Sequence, residues 1–186
     1  MITKKRLKEL EDNYNIRKLQ LKAYSETTDK EELSTFDYIK RIAVATDTSK
    51  GNFVEKILVS VMNWISVSSK ENRGDARDDK YYYEIKTSYT NKTRTLNFLQ
   101  IRPYQDVDYY IGIYVDLEDY KGSRVYKIPS KDIYELSKNN VMHGTKTTVD
   151  ENKHVEYRFS LNMKSELKET FDKKYREIKI EEKLFN

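Results

Sequence analysis

The segment KYYYEIKTS, Lys80 to Ser88, sets the strongest constraint on what this chain can fold into. Tyrosine, isoleucine and threonine suit a pleated, half-buried surface, so the run reads as a β-strand. Successive side chains of a strand point to opposite faces, which puts Tyr82, Glu84, Lys86 and Ser88 on one side and Tyr83, Ile85 and Thr87 on the other. An acid and a base are thereby neighbours on a stiff element, on a solvated edge or in a site.

The rest of the chain supplies helices and further strands around it. Apolar residues at helical spacing (Leu7, Leu10, Tyr14, Leu19, Leu21) predict an amphipathic helix from Thr3 to Tyr24. A second is predicted from about Asp29, an N-cap with Glu32 three residues on, through EELSTFDYIKRIAVA, until Asp47, Thr48 and Gly51 interrupt it. GNFVEKILVSVMNWISV repeats apolar positions on two adjoining faces and predicts a largely buried helix. Within it Glu55 is out of place, because Leu58, Val59 and Met62 share its side and an ionised acid is costly to bury unpaired. DYYIGIYVDL, SRVYKIP and HVEYRFSLN have strand composition, SKDIYELSKN predicts a short capped helix, and MKSELKETFDKKYREIKIEEKLF a final charged one. LNFLQIRPYQDV is ambiguous, with Pro103 ending any helix begun near Leu96. The expected fold class is α/β, a central mixed β-sheet flanked by helices, with residues 1–50 a helical N-terminal part. With two prolines and five glycines in 186 residues, no linker divides the chain, and one domain over 1–186 is expected.

Composition removes several chemistries. Cysteine is absent, which excludes disulfides, thiolate metal sites and cysteine nucleophiles. His143 and His154 are the two histidines, too few for a histidine-based zinc site unless acids fill in. Hard oxygen ligands remain, and Mg²⁺ is the metal they suit. The longest uncharged stretch, Ile57 to Ser69, falls short of the roughly 20 residues that span a bilayer, so no membrane association is expected. MITKKRLKELEDNY carries acids and no apolar segment, unlike a secretory signal or transit peptide, and the cytoplasm is the expected compartment. A net charge of +4, from 35 basic and 31 acidic residues, predicts only modest DNA affinity for the isolated chain.

The acids near the strand form a chemical pattern. Asp75 precedes Glu84 with the turn-forming RDDK between them, so a hairpin can return it to the neighbourhood of Glu84, beside Lys86. Converging carboxylates repel unless one protonates or a divalent cation neutralises them. Asp75 and Glu84 would hold Mg²⁺, with the Ile85 carbonyl as a further ligand, and Lys86 would stabilise negative charge or position the nucleophile. Glu55 would add a carboxylate or orient a metal-bound water. Asp-x8-Glu-x-Lys alone is weak in a chain with 31 acids; its place inside an apolar strand, with Glu55 inside an apolar helix, marks it out.

GD-x8-EIKTS, after an acid in a buried helix and before LNFLQIRPYQDVDYYIGIYVD, resembles the PD-(D/E)xK restriction-endonuclease-like nucleases. With HGTK at His143 to Lys146 the likeness is to type IIS restriction enzymes, over roughly Glu55 to Lys146. In length and character the chain resembles the small subunit of a heterodimeric type IIS enzyme whose larger, nicking-endonuclease subunit carries its own DNA-recognition domain. The resemblance implies a restriction-endonuclease-like core without a separate DNA-recognition domain, acting on double-stranded DNA in a bacterial cytoplasm with one or two Mg²⁺ ions, Mn²⁺ being able to substitute. It makes Asp75 the first acid, with Gly74 in place of the usual proline, Glu84 the second acid, Lys86 the lysine and Glu55 the helix acid. Gln100 would be the glutamine some branches place after the lysine, completing Gln-x3-Tyr with Tyr104. Asp78 and Asp79 are rivals for the role of Asp75, although the hairpin turn accounts for both.

Arg102, His143 and Lys146 are candidate phosphate contacts; a loop histidine and a solvated basic face are the plainer readings. Packing in strands accounts for most of the sixteen tyrosines. The expected function is hydrolysis of one DNA strand by metal-activated water, with recognition supplied by the larger partner. The alternatives are a self-sufficient homodimeric nuclease and a noncatalytic DNA-binding or scaffolding subunit.

Overall fold

The computed structural model describes residues 47–68, 71–90, 93–140 and 155–185, together with Ile39 and the pairs 2–3 and 32–33. Its elements are β1 (Ile2–Thr3), β2 (Glu32–Leu33), α1 (Asp47–Met62), β3 (Ile65–Ser66), β4 (Ala76–Arg77), β5 (Tyr82–Tyr89), β6 (Thr95–Ile101), β7 (Tyr109–Val115), β8 (Arg124–Pro129), α2 (Ser130–Ser137), β9 (Tyr157–Asn162), α3 (Glu166–Tyr175) and α4 (Ile178–Phe185). The central sheet runs β3-β4-β5-β7-β8. It is mixed, since β5 and β7 pair in parallel while the other neighbours are antiparallel. β6 and β9 form a separate antiparallel pair, as do β1 and β2.

The alternation within β7, YYIGIYV, builds two apolar layers. Ile111, Ile113 and Val115 point to one face, where α1 contributes Phe53, Val54, Ile57 and Leu58 and α4 contributes Ile180, Leu184 and Phe185. Tyr110 and Tyr114 point to the other, against Leu96 and Phe98 of β6, Phe159 and Leu161 of β9, Ile133 of α2 and Phe171 of α3. A strand covered on both faces needs an almost unbroken apolar sequence. Each fully buried aliphatic or phenyl side chain contributes about 1.5–3 kcal/mol, so these layers dominate the stability.

Several expectations from the sequence are corrected here. Glu32 and Leu33 were expected in a helix but pair with Ile2 and Thr3 as strands, also at the start of the first expected helix; the remainder of both helices lies outside the described residues, except that Ile39 is helical and buried. Asp47, Thr48 and Gly51 open α1 instead of interrupting a helix. A Cβ on Gly51 would meet no atom within 4 Å. The apolar spacing that runs on to Ile65 is cut at Asn63, which takes φ 55°. The Trp64 N–H bonds the Val59 carbonyl at 2.9 Å and the Asn63 N–H bonds that of Ser60 at 3.3 Å, the paired bonds of a left-handed helix stop. LNFLQI is strand, not helix, and Pro103 lies beyond it. The final helix breaks in two because Arg176 turns extended to bridge Tyr126 and the Glu177 N–H bonds the Val125 carbonyl at 2.8 Å. No helix among the described residues is long and apolar enough to cross a membrane.

Gly112 of β7 lies under the Phe98 ring of β6. A Cβ there would lie 2.3 Å from Cζ of Phe98, itself almost fully buried. Gly112→Ala should therefore cost about 1–3 kcal/mol through overpacking, measured by urea unfolding. An unchanged midpoint would show that the β6 layer is loose.

Candidate active site

The hairpin β4–β5 delivers the acids. β4 runs out at Ala76, and before it the chain turns through Gly74 at φ 78°. A Cβ on Gly74 would fall 2.5 Å from the Tyr83 carbonyl oxygen, and proline, locked near −65°, could not adopt this φ. Glycine is required here by the local path of the chain. Asp75 donates its N–H to the Tyr83 carbonyl at 2.8 Å, and its carboxylate accepts the Ile85 N–H at 2.7 Å. Asp78 is occupied in the turn, where Oδ1 accepts the N–H groups of Lys80 and Tyr81, both at 2.8 Å, and Oδ2 accepts the Tyr83 hydroxyl at 2.6 Å.

In a strand the N–H and C=O of one residue leave toward the same edge. Because the Ile85 N–H goes to Asp75, its carbonyl also faces the β5 edge turned away from β7, beyond the end of β4. Glu84 and Lys86 rise from the face toward β6, while Glu55 arrives from α1 on the opposite face. Glu55, Asp75, Glu84, Ile85, Lys86, Gln100 and Arg102 all line one cleft of about 650 Å³ at that edge.

Glu84 is only 3% exposed, yet both its oxygens have partners. Oε1 accepts Lys86 Nζ at 2.5 Å and Oε2 accepts Gln105 Nε2 at 3.0 Å. Burial pushes the Glu55 carboxyl up to about 7, helped by the Asp75 and Glu84 charges and opposed by Lys56 and Lys86. Burial likewise raises Asp75 to about 6, helped by Glu84 and opposed by the Ile85 N–H, Lys86 and Arg102. Three carboxylates thus share the cleft with Lys50, Lys86 and Arg102, of which Lys86 is paired with Glu84.

Among the described residues, no three His, Asp or Glu side chains close into a ready-made metal cage. The donors that fit a hard divalent cation are the Asp75 and Glu84 carboxylates and the Ile85 carbonyl, with Glu55 lining the same cleft. Burial and mutual repulsion raise the Glu55 and Asp75 carboxyls, and a divalent ion between the acids would relieve that repulsion. No protein-family model and no curated protein sequence matches the chain.

Gln100 sits on the exposed bulge between Phe98 and Ile101 at φ 56°, at the cleft wall. Gln105 bonds Glu84, and sequence reasoning missed it; no local pattern marks it, because the contact is made by a turn 21 residues away. Arg102 lines the cleft but its Nε bonds Glu156 at 2.7 Å. His143 and Lys146 lie outside the described residues.

The raised carboxyls couple stability to pH. Glu55 and Asp75 move up from ordinary values of 4.5 and 3.8, so between about pH 4 and 7 the folded state binds more protons than the unfolded. Stability from these groups therefore falls as pH rises through that window and levels off above it. Without divalent ions, Glu55→Gln should melt above the wild type at pH 8, with the advantage shrinking toward pH 5. An advantage independent of pH would contradict the electrostatic origin.

Proposed function

We propose that this chain is a Mg²⁺-dependent DNA endonuclease subunit with a PD-(D/E)xK core, cutting one strand of double-stranded DNA within a heterodimeric type IIS restriction enzyme. The observation that carries this reading is the meeting of Asp75, Glu84 and Lys86 from one hairpin with Glu55 from α1 in a single cleft. Asp75, Glu84 and the Ile85 carbonyl would hold the ion. A bound Mg²⁺ supplies a water of lowered pKa and shields the charge of the phosphate.

The chain's own groups then divide the remaining work. Lys86, held by Glu84, presents its ammonium where negative charge gathers on the phosphate as water adds and the P–O bond breaks. Glu55, with its carboxyl near neutrality in the metal-free cleft, accepts a hydrogen bond from the attacking water and orients it. Arg102 at the wall offers a phosphate contact.

Reading several base pairs in a major groove takes an element with several base-reaching side chains. The described elements pack around the sheet that carries the cleft, and we assign that readout to a larger partner, a nicking subunit with a recognition domain.

Strand-resolved cleavage of labelled duplex DNA with Mg²⁺ tests this. The chain alone should cut little, the mixture with a large subunit encoded beside it should cut the second strand, and Lys86→Ala should slow that cut at least 100-fold. Cutting by the chain alone would favour a self-sufficient homodimer. Full activity of the mixture with Lys86→Ala would leave a noncatalytic scaffold.

A further inference from the structure

We propose that Gln105 is a positioning residue that fixes the Glu84 carboxylate for a divalent cation, an inference that rests on the metal-site reading above. A carboxylate only accepts hydrogen bonds, so the amide must turn its NH₂ toward Glu84 Oε2, 3.0 Å away. Its carbonyl end then faces the Tyr110 hydroxyl at 3.5 Å. Tyr110 stands directly across from Glu84 in the β5–β7 register and is 2% exposed, and its hydroxyl accepts the Arg102 N–H at 3.1 Å. The hydroxyl's one proton has a nearer acceptor in the Arg102 carbonyl at 3.3 Å, so the firm bond of the glutamine side chain is the one to Glu84.

The turn that carries Gln105 is tied to the segment that delivers Asp75. Gln105 closes the turn through its N–H to the Arg102 carbonyl at 3.0 Å, and the Asp106 N–H bonds the Asn72 carbonyl at 2.9 Å. Asn72 Nδ2 returns to the Tyr104 carbonyl at 2.8 Å, and Arg73 Nε bonds Asp106 Oδ2 at 3.0 Å. Asn72 and Arg73 lead straight into Gly74 and Asp75. One staple therefore sets both acids in a common frame.

The residue type suits this role. Lysine or arginine at this point would cancel charge that a cation needs, and a carboxylate would add a fourth acid. An amide donates without changing the net charge. Glu84 has about four lone-pair directions, and Lys86 and Gln105 use two, which leaves the others for the ion.

The test is Mn²⁺ affinity, read from the electron paramagnetic resonance of free ion, for wild type, Gln105→Met, Glu84→Gln and the double variant, with thermal melts of each. Outer partners of ligating carboxylates typically matter 10–100-fold for metal affinity. Gln105→Met, similar in length but without the donor, should weaken Mn²⁺ binding by about that factor, and should add nothing in the Glu84→Gln background. Gln105→Leu, which also lacks the donor and leaves the charge unchanged, should weaken it in the same direction, and it serves if the methionine variant fails to fold. Unchanged affinity in either folded variant, or an equal loss in both backgrounds, overturns the positioning role. A wild type that holds no Mn²⁺ at millimolar ion overturns the metal site itself, a separate failure.

Discussion

Where β4 ends, the Asp75 carboxylate takes the place of the next backbone partner for β5, accepting the Ile85 N–H while the Asp75 N–H bonds Tyr83. That substitution of a side chain for a strand opens the edge of β5 just past the hairpin. The Ile85 carbonyl, Glu84 from one face and Glu55 from the other can then meet around it. Had β4 continued by two more residues, the edge would be paired and no cleft would exist there. The left-handed Gly74 and the turn knotted by Asp78 both serve this ending, one by steering the chain in and the other by fixing the hairpin.

The cleft is electrostatically unfavourable as folded. Burial and mutual repulsion raise Glu55 and Asp75 well above ordinary carboxyls, and Lys86 is already engaged by Glu84. Such a cluster persists because two apolar layers on either side of the sheet hold its elements in place whatever the acids prefer. The same rigidity would hold the donor oxygens in place for a cation and so lower the cost of binding one.

Much of this was legible in the sequence, because it depended on periodicity. The alternation of YYYEIKTS and YYIGIYV gave two strands and their faces, and the apolar spacing after Phe53 gave α1 with Glu55 among buried neighbours. What failed depended on contacts distant along the chain. The end of α1 was set by Asn63 adopting φ 55°, against apolar spacing that runs on. LNFLQI, ambiguous in the sequence, became a strand because β9 pairs with it, and the last helix split because Arg176 joins β8. At the site, the Glu84 partner Gln105 carried no signal in the sequence, since a turn stapled to Asn72 and Arg73 brings it into place, while a bulge puts Gln100 at the cleft wall.

Asp75, Glu84 and the Ile85 carbonyl form the proposed seat of a divalent cation. Anomalous scattering from a crystal soaked in Mn²⁺ locates the ion without any assumption about activity. The expected result is a peak between those three groups, with Glu55 facing it through water. A well-soaked crystal with that position empty, or with Mn²⁺ bound only elsewhere, would contradict it.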